Sequence, residues 1–85
     1  MVDDPDHREE PTFGEVVRQE RVSRSLTQEE FAAAFGVSLT YLVQVEQDIR
    51  VPTTLMVKDL AEMLGMPEHE LLAVARRHPR YWPGS

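Results

Sequence analysis

Residues 26–52, LTQEEFAAAFGVSLTYLVQVEQDIRVP, limit what this chain can fold into more tightly than any other stretch. The spacing predicts two short helices joined by a tight turn at Gly36, the second opening at Ser38. Thr27 is a good N-cap and Glu30 follows three residues later, a capping box that takes up free backbone N–H groups. Ala32 and Ala33 are small enough to let a second helix approach. Phe31, Phe35 and Val37 supply apolar surface for the pair to close over. Gly36 lacks a Cβ and so takes the left-handed conformation that ends a helix. Ser38 caps the next helix, where Leu42 and Val45 turn inward at a three-residue step. Thr40, Val43 and Gln44 are then left on an outward ridge.

The rest of the chain supplies partners for that pair. Thr12 predicts the start of a first helix, with Glu15 completing a second capping box. Phe13, Val16 and Val17 form its inner stripe, and Leu26 joins them after a turn at residues 23–25. Arg18, Arg21 and Arg24 recur every three residues on one broad face, and Arg18 and Arg24 read as solvated. A loop follows over residues 48–54, where Pro52 stops helix propagation. Thr53 or Thr54 caps a fourth helix. Its Val57, Leu60, Ala61 and Leu64 face inward, flanked by Met56 and Met63. Gly65 stops it. Pro67, Glu68 and Glu70 suit the first turn of a fifth helix, and Arg76, Arg77 and His78 suit its end, each matching the helix dipole. No stretch demands a strand. The prediction is an all-α fold, a compact five-helix bundle over residues 12–78, between a disordered acidic tail at 1–11 and a short tail at 79–85.

Composition bounds the chemistry. Eighty-five residues make one small domain with a thin core. With no cysteine, disulfides, thiolate catalysis and cysteine-based metal sites are excluded. No apolar run approaches the roughly 20 residues that span a bilayer, and the N-terminus is acidic where a secretory signal is basic. A cytoplasmic protein with no membrane role is expected. The net charge is −6. Residues 1–12 carry five acids against one arginine, residues 13–72 ten acids against five bases, and residues 73–85 three arginines and no acid. Phosphates attract Lys and Arg, so DNA binding would have to rely on a local patch, with low non-specific affinity.

Two helices joined this way form a helix-turn-helix, a motif whose second helix often enters the DNA major groove. The runs LTQEEFAAAFGVS, YLVQVEQ, RVP, LAEMLGM and HELL resemble the phage-repressor/Cro-type, or XRE-like, helix-turn-helix family over residues 13–72. The resemblance implies a lambda-repressor-like DNA-binding domain that acts as a homodimer on a two-fold site in double-stranded DNA. It places the helix from Ser38 in the major groove. By position, Leu39, Thr40, Val43 and Gln44 would face base edges. Thr27, Gln28, Ser38, Gln47, Arg50 and Thr53 would lie near phosphates. It also implies an ion pair between Arg21 and Glu46, which we expect to be structural.

The side chains can perform parts of this. Gln44 can pair bidentately with adenine, and Leu39 and Val43 can pack only against thymine methyls. Thr27 and Gln28 sit at a helix N-terminus, where amides point toward an incoming anion. Arg50 is the one cation near the exit of the motif. The chain departs from the family at Gln47-Asp48, where Asn-Gly is common, and at Val43, where a polar or basic residue is common. Asp48 is therefore expected to reshape the loop or to weaken a phosphate contact through its charge.

Other candidates are set aside. His7, His69 and His78 lack metal-ligand spacing, there is no glycine-rich phosphate loop, and no nucleophile has an activating context. No metal, no cofactor and no enzymatic activity is expected. The acidic tail is a solvated arm or a competitor for the basic patch. Tyr81 and Trp82 are a lid over the core or a contact for another chain. The expected function is a sequence-specific transcriptional regulator, a repressor. The alternative is an antitoxin or anti-repressor-like module on the same fold that docks on a protein partner, a toxin or another regulator. The acid excess and the uncharged surface of residues 37–45 favour that alternative.

Overall fold

The computed structural model describes residues 11–78. Five helices follow one another: α1 (Phe13–Ser23), α2 (Gln28–Phe35), α3 (Leu39–Glu46), α4 (Thr54–Leu64) and α5 (Glu68–Arg76). Four of them begin at a hydroxyl side chain. Thr12, Thr27, Ser38 and Thr53 accept the amides of Glu15, Glu30, Tyr41 and Met56 at 3.1, 3.0, 3.0 and 3.3 Å. Both capping boxes are complete, since Glu15 and Glu30 return to the amides of Thr12 and Thr27. Thr53, not Thr54, is the fourth cap. Pro67 occupies the cap position of α5 and has no side-chain bond to offer. Gly36 and Gly65 end α2 and α4 with φ of 81° and 70°. At both ends the amide of the following residue, Val37 or Met66, reaches back to close the last turn.

The core gathers the apolar stripes of all five helices. Phe13 and Val17 of α1, Phe31 and Ala32 of α2, and Leu42 and Val45 of α3 meet Val57, Leu60, Ala61 and Leu64 of α4 and Leu71 and Ala75 of α5. Val16, Leu26, Phe35 and Val37 are only partly buried and seal its edge. Ala32 is buried against the neighbouring helices, whereas Ala33 is exposed and takes no part in that approach. Helix α3 packs on α1 and α2, and α4 packs on α5. No helix among the described residues is long and apolar enough to cross a membrane.

The seat of α1 on α3 depends on Gly14. A Cβ placed there would lie 2.6 Å from the carbonyl oxygens of both Val45 and Glu46. The first turn of α1 therefore rests directly on the last turn of α3, backbone against backbone. Asp48 completes the junction. It holds φ +62°, the left-handed position after α3. The amides of Asp48 and Ile49 return to the carbonyls of Val45 and Gln44 at 3.0 and 2.9 Å, an arrangement in which glycine is usual. Its carboxylate accepts from the Thr12 hydroxyl at 2.6 Å and from the Gly14 amide at 2.9 Å. The carboxylate thus caps the start of α1. The negative charge faces the N-terminus of α1, where the helix dipole favours it. His78, just past α5, donates from Nε2 to the Asp48 carbonyl at 3.0 Å, so the end of the chain's last described turn closes on the same loop.

Arg24 is also not simply solvated. It pairs with Glu20 at 2.6 Å and donates to the carbonyl of Leu64 at the end of α4. A cation there offsets the negative end of that helix. The acidic arm, Tyr81 and Trp82 lie outside the described residues.

Candidate nucleic-acid interface

Helix α3 has two distinct sides. Leu42, Val45 and Glu46 are buried, at 2%, 2% and 9% exposure. Leu39 and Thr40 are exposed, and Val43 and Gln44 are half-buried. Burial of the first set follows from packing on α1 and α2. The second set stands on the remaining side because 3.6 residues make a turn.

Beneath this surface Arg21 and Glu46 tie α1 to α3. Arg21 Nε meets Glu46 Oε2 at 2.7 Å and Nη2 meets Oε1 at 3.2 Å, a planar fork on a carboxylate. Arg21 Nη1 also donates to the Leu26 carbonyl at 2.9 Å. The two side chains are only 13% and 4% exposed. Gln28 donates its side-chain amide to Glu46 Oε1 at 3.0 Å. It therefore braces α2 against the same carboxylate, a duty that sequence reasoning did not assign to it.

The phosphate-side candidates Thr27, Gln28, Ser38, Gln47 and Thr53 are spread over three helix starts and the exit of α3. Thr27, Ser38 and Thr53 use their hydroxyl oxygens as acceptors for their own helices, and each hydroxyl hydrogen is available to donate elsewhere. The amides of Gln28 and Glu29 are not taken up by the capping box at the start of α2. Gln47 is exposed at the end of α3.

Arg50 is joined to the ridge. Its Nε donates to Gln44 Oε1 at 3.0 Å, and its guanidinium carbon lies 5.1 Å from the centre of the Tyr41 ring. Tyr41 donates its hydroxyl to the Met56 sulfur at 3.5 Å. Burial raises the Tyr41 pKa above the ordinary 10.0, while the Arg50 charge pulls the other way and is the smaller effect. The unfolded chain therefore ionises first as pH climbs through 10, so stability from this group is present below that pH and is lost above it. The phenolate absorbance that disappears in Tyr41→Phe is expected to titrate above 10.0. Titration at or below that value would contradict this environment.

The geometry is that of a helix-turn-helix whose second helix has an uncharged outward side. The family model described as Helix-turn-helix matches residues 17–71, well over half of the chain. The chain belongs to the phage-repressor-type, XRE-like helix-turn-helix family. Within this family it is 34% identical over 59 residues to the uncharacterized HTH-type transcriptional regulator YazB of Bacillus subtilis (strain 168), covering 69% of this chain and 86% of that relative. The family fold also appears in the crystal structure of the master regulator for biofilm formation SinR in complex with DNA. That chain superposes with a TM-score of 0.63 at 24% identity over 72% of this chain and 98% of its own. Membership makes this a domain of the transcriptional-regulator type.

Three structural roles escaped the sequence reading. Gly14 carried a signal, a glycine inside a helix where alanine is better by about 1 kcal/mol. Asp48 as a cap for α1 and His78 behind it carried none, because partners 34 and 30 residues away leave no local pattern.

Proposed function

We propose that this protein is a DNA-binding transcriptional regulator that acts as a repressor, with α3 lying in the major groove of a short two-fold site bound by a dimer. The observation that carries the reading is the sidedness of α3: Leu39, Thr40, Val43 and Gln44 share the outward surface while Leu42, Val45 and Glu46 anchor it from beneath. Thr40 and Gln44 supply hydrogen bonds to base edges, and Leu39 and Val43 supply apolar contact to thymine methyls. Thr27, Gln28, Ser38, Gln47 and Thr53 sit at helix ends and Arg50 in the loop after α3, and their hydroxyls, amides and guanidinium suit phosphate oxygens. Ile49, just past α3, and Leu55, in the first turn of α4, are exposed at 49% and 66% and would give a second copy apolar surface to meet. The protein works by binding, and no catalytic step is assigned to it.

Selection of bound sequences from random duplexes tests this directly. A two-fold consensus is expected. Gln44→Ala should then flatten the preference at one base position of each half-site, a loss of about 1–3 kcal/mol in discrimination. A selection that returns no preferred sequence, with binding that vanishes at physiological salt, would remove groove reading. It would favour the second reading, a protein-docking module of the antitoxin or anti-repressor kind, which the acid excess of residues 13–72 and the uncharged α3 surface support.

A further inference from the structure

We infer that Arg50 is a specificity-determining positioning residue. Held on the Tyr41 ring, it fixes the polarity of the Gln44 carboxamide, so that Gln44 meets adenine ready-ordered. This rests on the groove-reading role proposed above. A glutamine amide has two ends of nearly equal shape, one donating and one accepting, and on its own it turns freely between them. Here the ambiguity is removed. Arg50 Nε can only donate, so the atom 3.0 Å away must be the Gln44 oxygen. The guanidinium is itself held, its carbon 5.1 Å from the Tyr41 ring centre, within cation–π range. Tyr41 in turn is fixed by its hydroxyl on Met56 of α4. A chain of three side chains thus runs from the packed body of the domain to the tip of Gln44.

The stoichiometry of hydrogen bonding leaves the right groups over. One lone pair of the Gln44 oxygen is used by Arg50, leaving the second lone pair and both N–H groups. Those are the acceptor and donor that adenine requires at N6 and N7. The guanidinium still has its terminal nitrogens for a phosphate, so the two duties do not compete.

Arg50→Lys separates them. Lysine keeps the charge but places a methylene where Nε stands, so it cannot make this bond from the same atom. The measurement is the ratio of affinities for two duplexes that differ only in adenine or its replacement at the position flattened by Gln44→Ala. General loss of affinity cancels in that ratio. Ordering one long side chain typically accounts for about a 2–10-fold effect. Both Arg50→Met and Arg50→Lys are expected to lower the ratio by that factor. Tyr41→Leu, which removes the platform and leaves Arg50 in place, is expected to lower it as well. In the DNA-free protein, the NMR signal of Arg50 Nε–H is expected to be slow to exchange and to lose that protection in Gln44→Ala. A ratio in Arg50→Met or Arg50→Lys equal to the parent's would overturn the inference while leaving groove reading intact. Absence of any position sensitive to Gln44→Ala would overturn both together.

Discussion

Replacing Glu46 with alanine is expected to lower the unfolding free energy by about 3–5 kcal/mol. The size follows from what is left behind. Arg21 is a forked partner only 13% exposed at its side chain, and Glu46 itself is 4% exposed. Without the carboxylate, a guanidinium stays in a place water reaches poorly, and the Gln28 amide loses its acceptor too. An exposed pair would be worth less than about 1 kcal/mol, so the measurement decides between the two descriptions. A whole domain is stable by only about 5–15 kcal/mol, and a small one lies toward the low end. Glu46→Ala should therefore shift the urea midpoint strongly, with the slope unchanged. The double variant Arg21→Met with Glu46→Leu should recover much of the loss, since the desolvated charge is gone. A shift under 1 kcal/mol in the single variant would show that solvent screens the pair. Because Glu46 closes α3, the same variant should also loosen the helix that carries Gln44, and DNA affinity should fall with it.

Gly14→Ala is the second large effect, and two rules disagree about its sign. Helix propensity favours alanine over glycine by about 1 kcal/mol. Packing opposes it: the new Cβ would stand 2.6 Å from two carbonyl oxygens, those of Val45 and Glu46. Backbone atoms cannot swing aside as a long side chain can. Overpacking of this kind costs about 1–3 kcal/mol, with the upper end apt here because both obstacles are main chain. The net expectation is a loss of about 2 kcal/mol, measured by chemical denaturation. Pushing α1 off α3 also stretches the bond from the Gly14 amide to Asp48, now 2.9 Å. A variant as stable as the parent, or more so, would mean that α1 and α3 are not seated this closely.

Helices and their limits were legible because their causes are local. Thr12 with Glu15 and Thr27 with Glu30 form boxes whose partners lie three residues apart, and both are found. Gly36 and Gly65 stop helices for a reason internal to each residue. The inward set of α4, Val57, Leu60, Ala61 and Leu64, is wholly buried because one periodic stripe has one way to face a core. Ala33 shows the limit of this logic. It is as small as Ala32, but only tertiary packing decided which of the two meets a neighbouring helix. Arg24 shows it again, since its acceptor on Leu64 is forty residues away.

The candidate site divides along the same line. The identity of the outward helix, its cap at Ser38 and its alternation of buried and exposed positions were available from spacing alone. The bond that sets Gln44's orientation was not. It spans six residues around a turn whose shape depends on Asp48 in the left-handed region. What the chain determined by itself was where helices start, stop and turn an apolar side inward, because propensity, capping and period act over three or four residues. What only the tertiary structure decided was how closely α1 approaches α3, which groups the Asp48 carboxylate meets and which side chains brace α3. Those depend on atoms far apart in sequence, brought within hydrogen-bond range only after the core has closed.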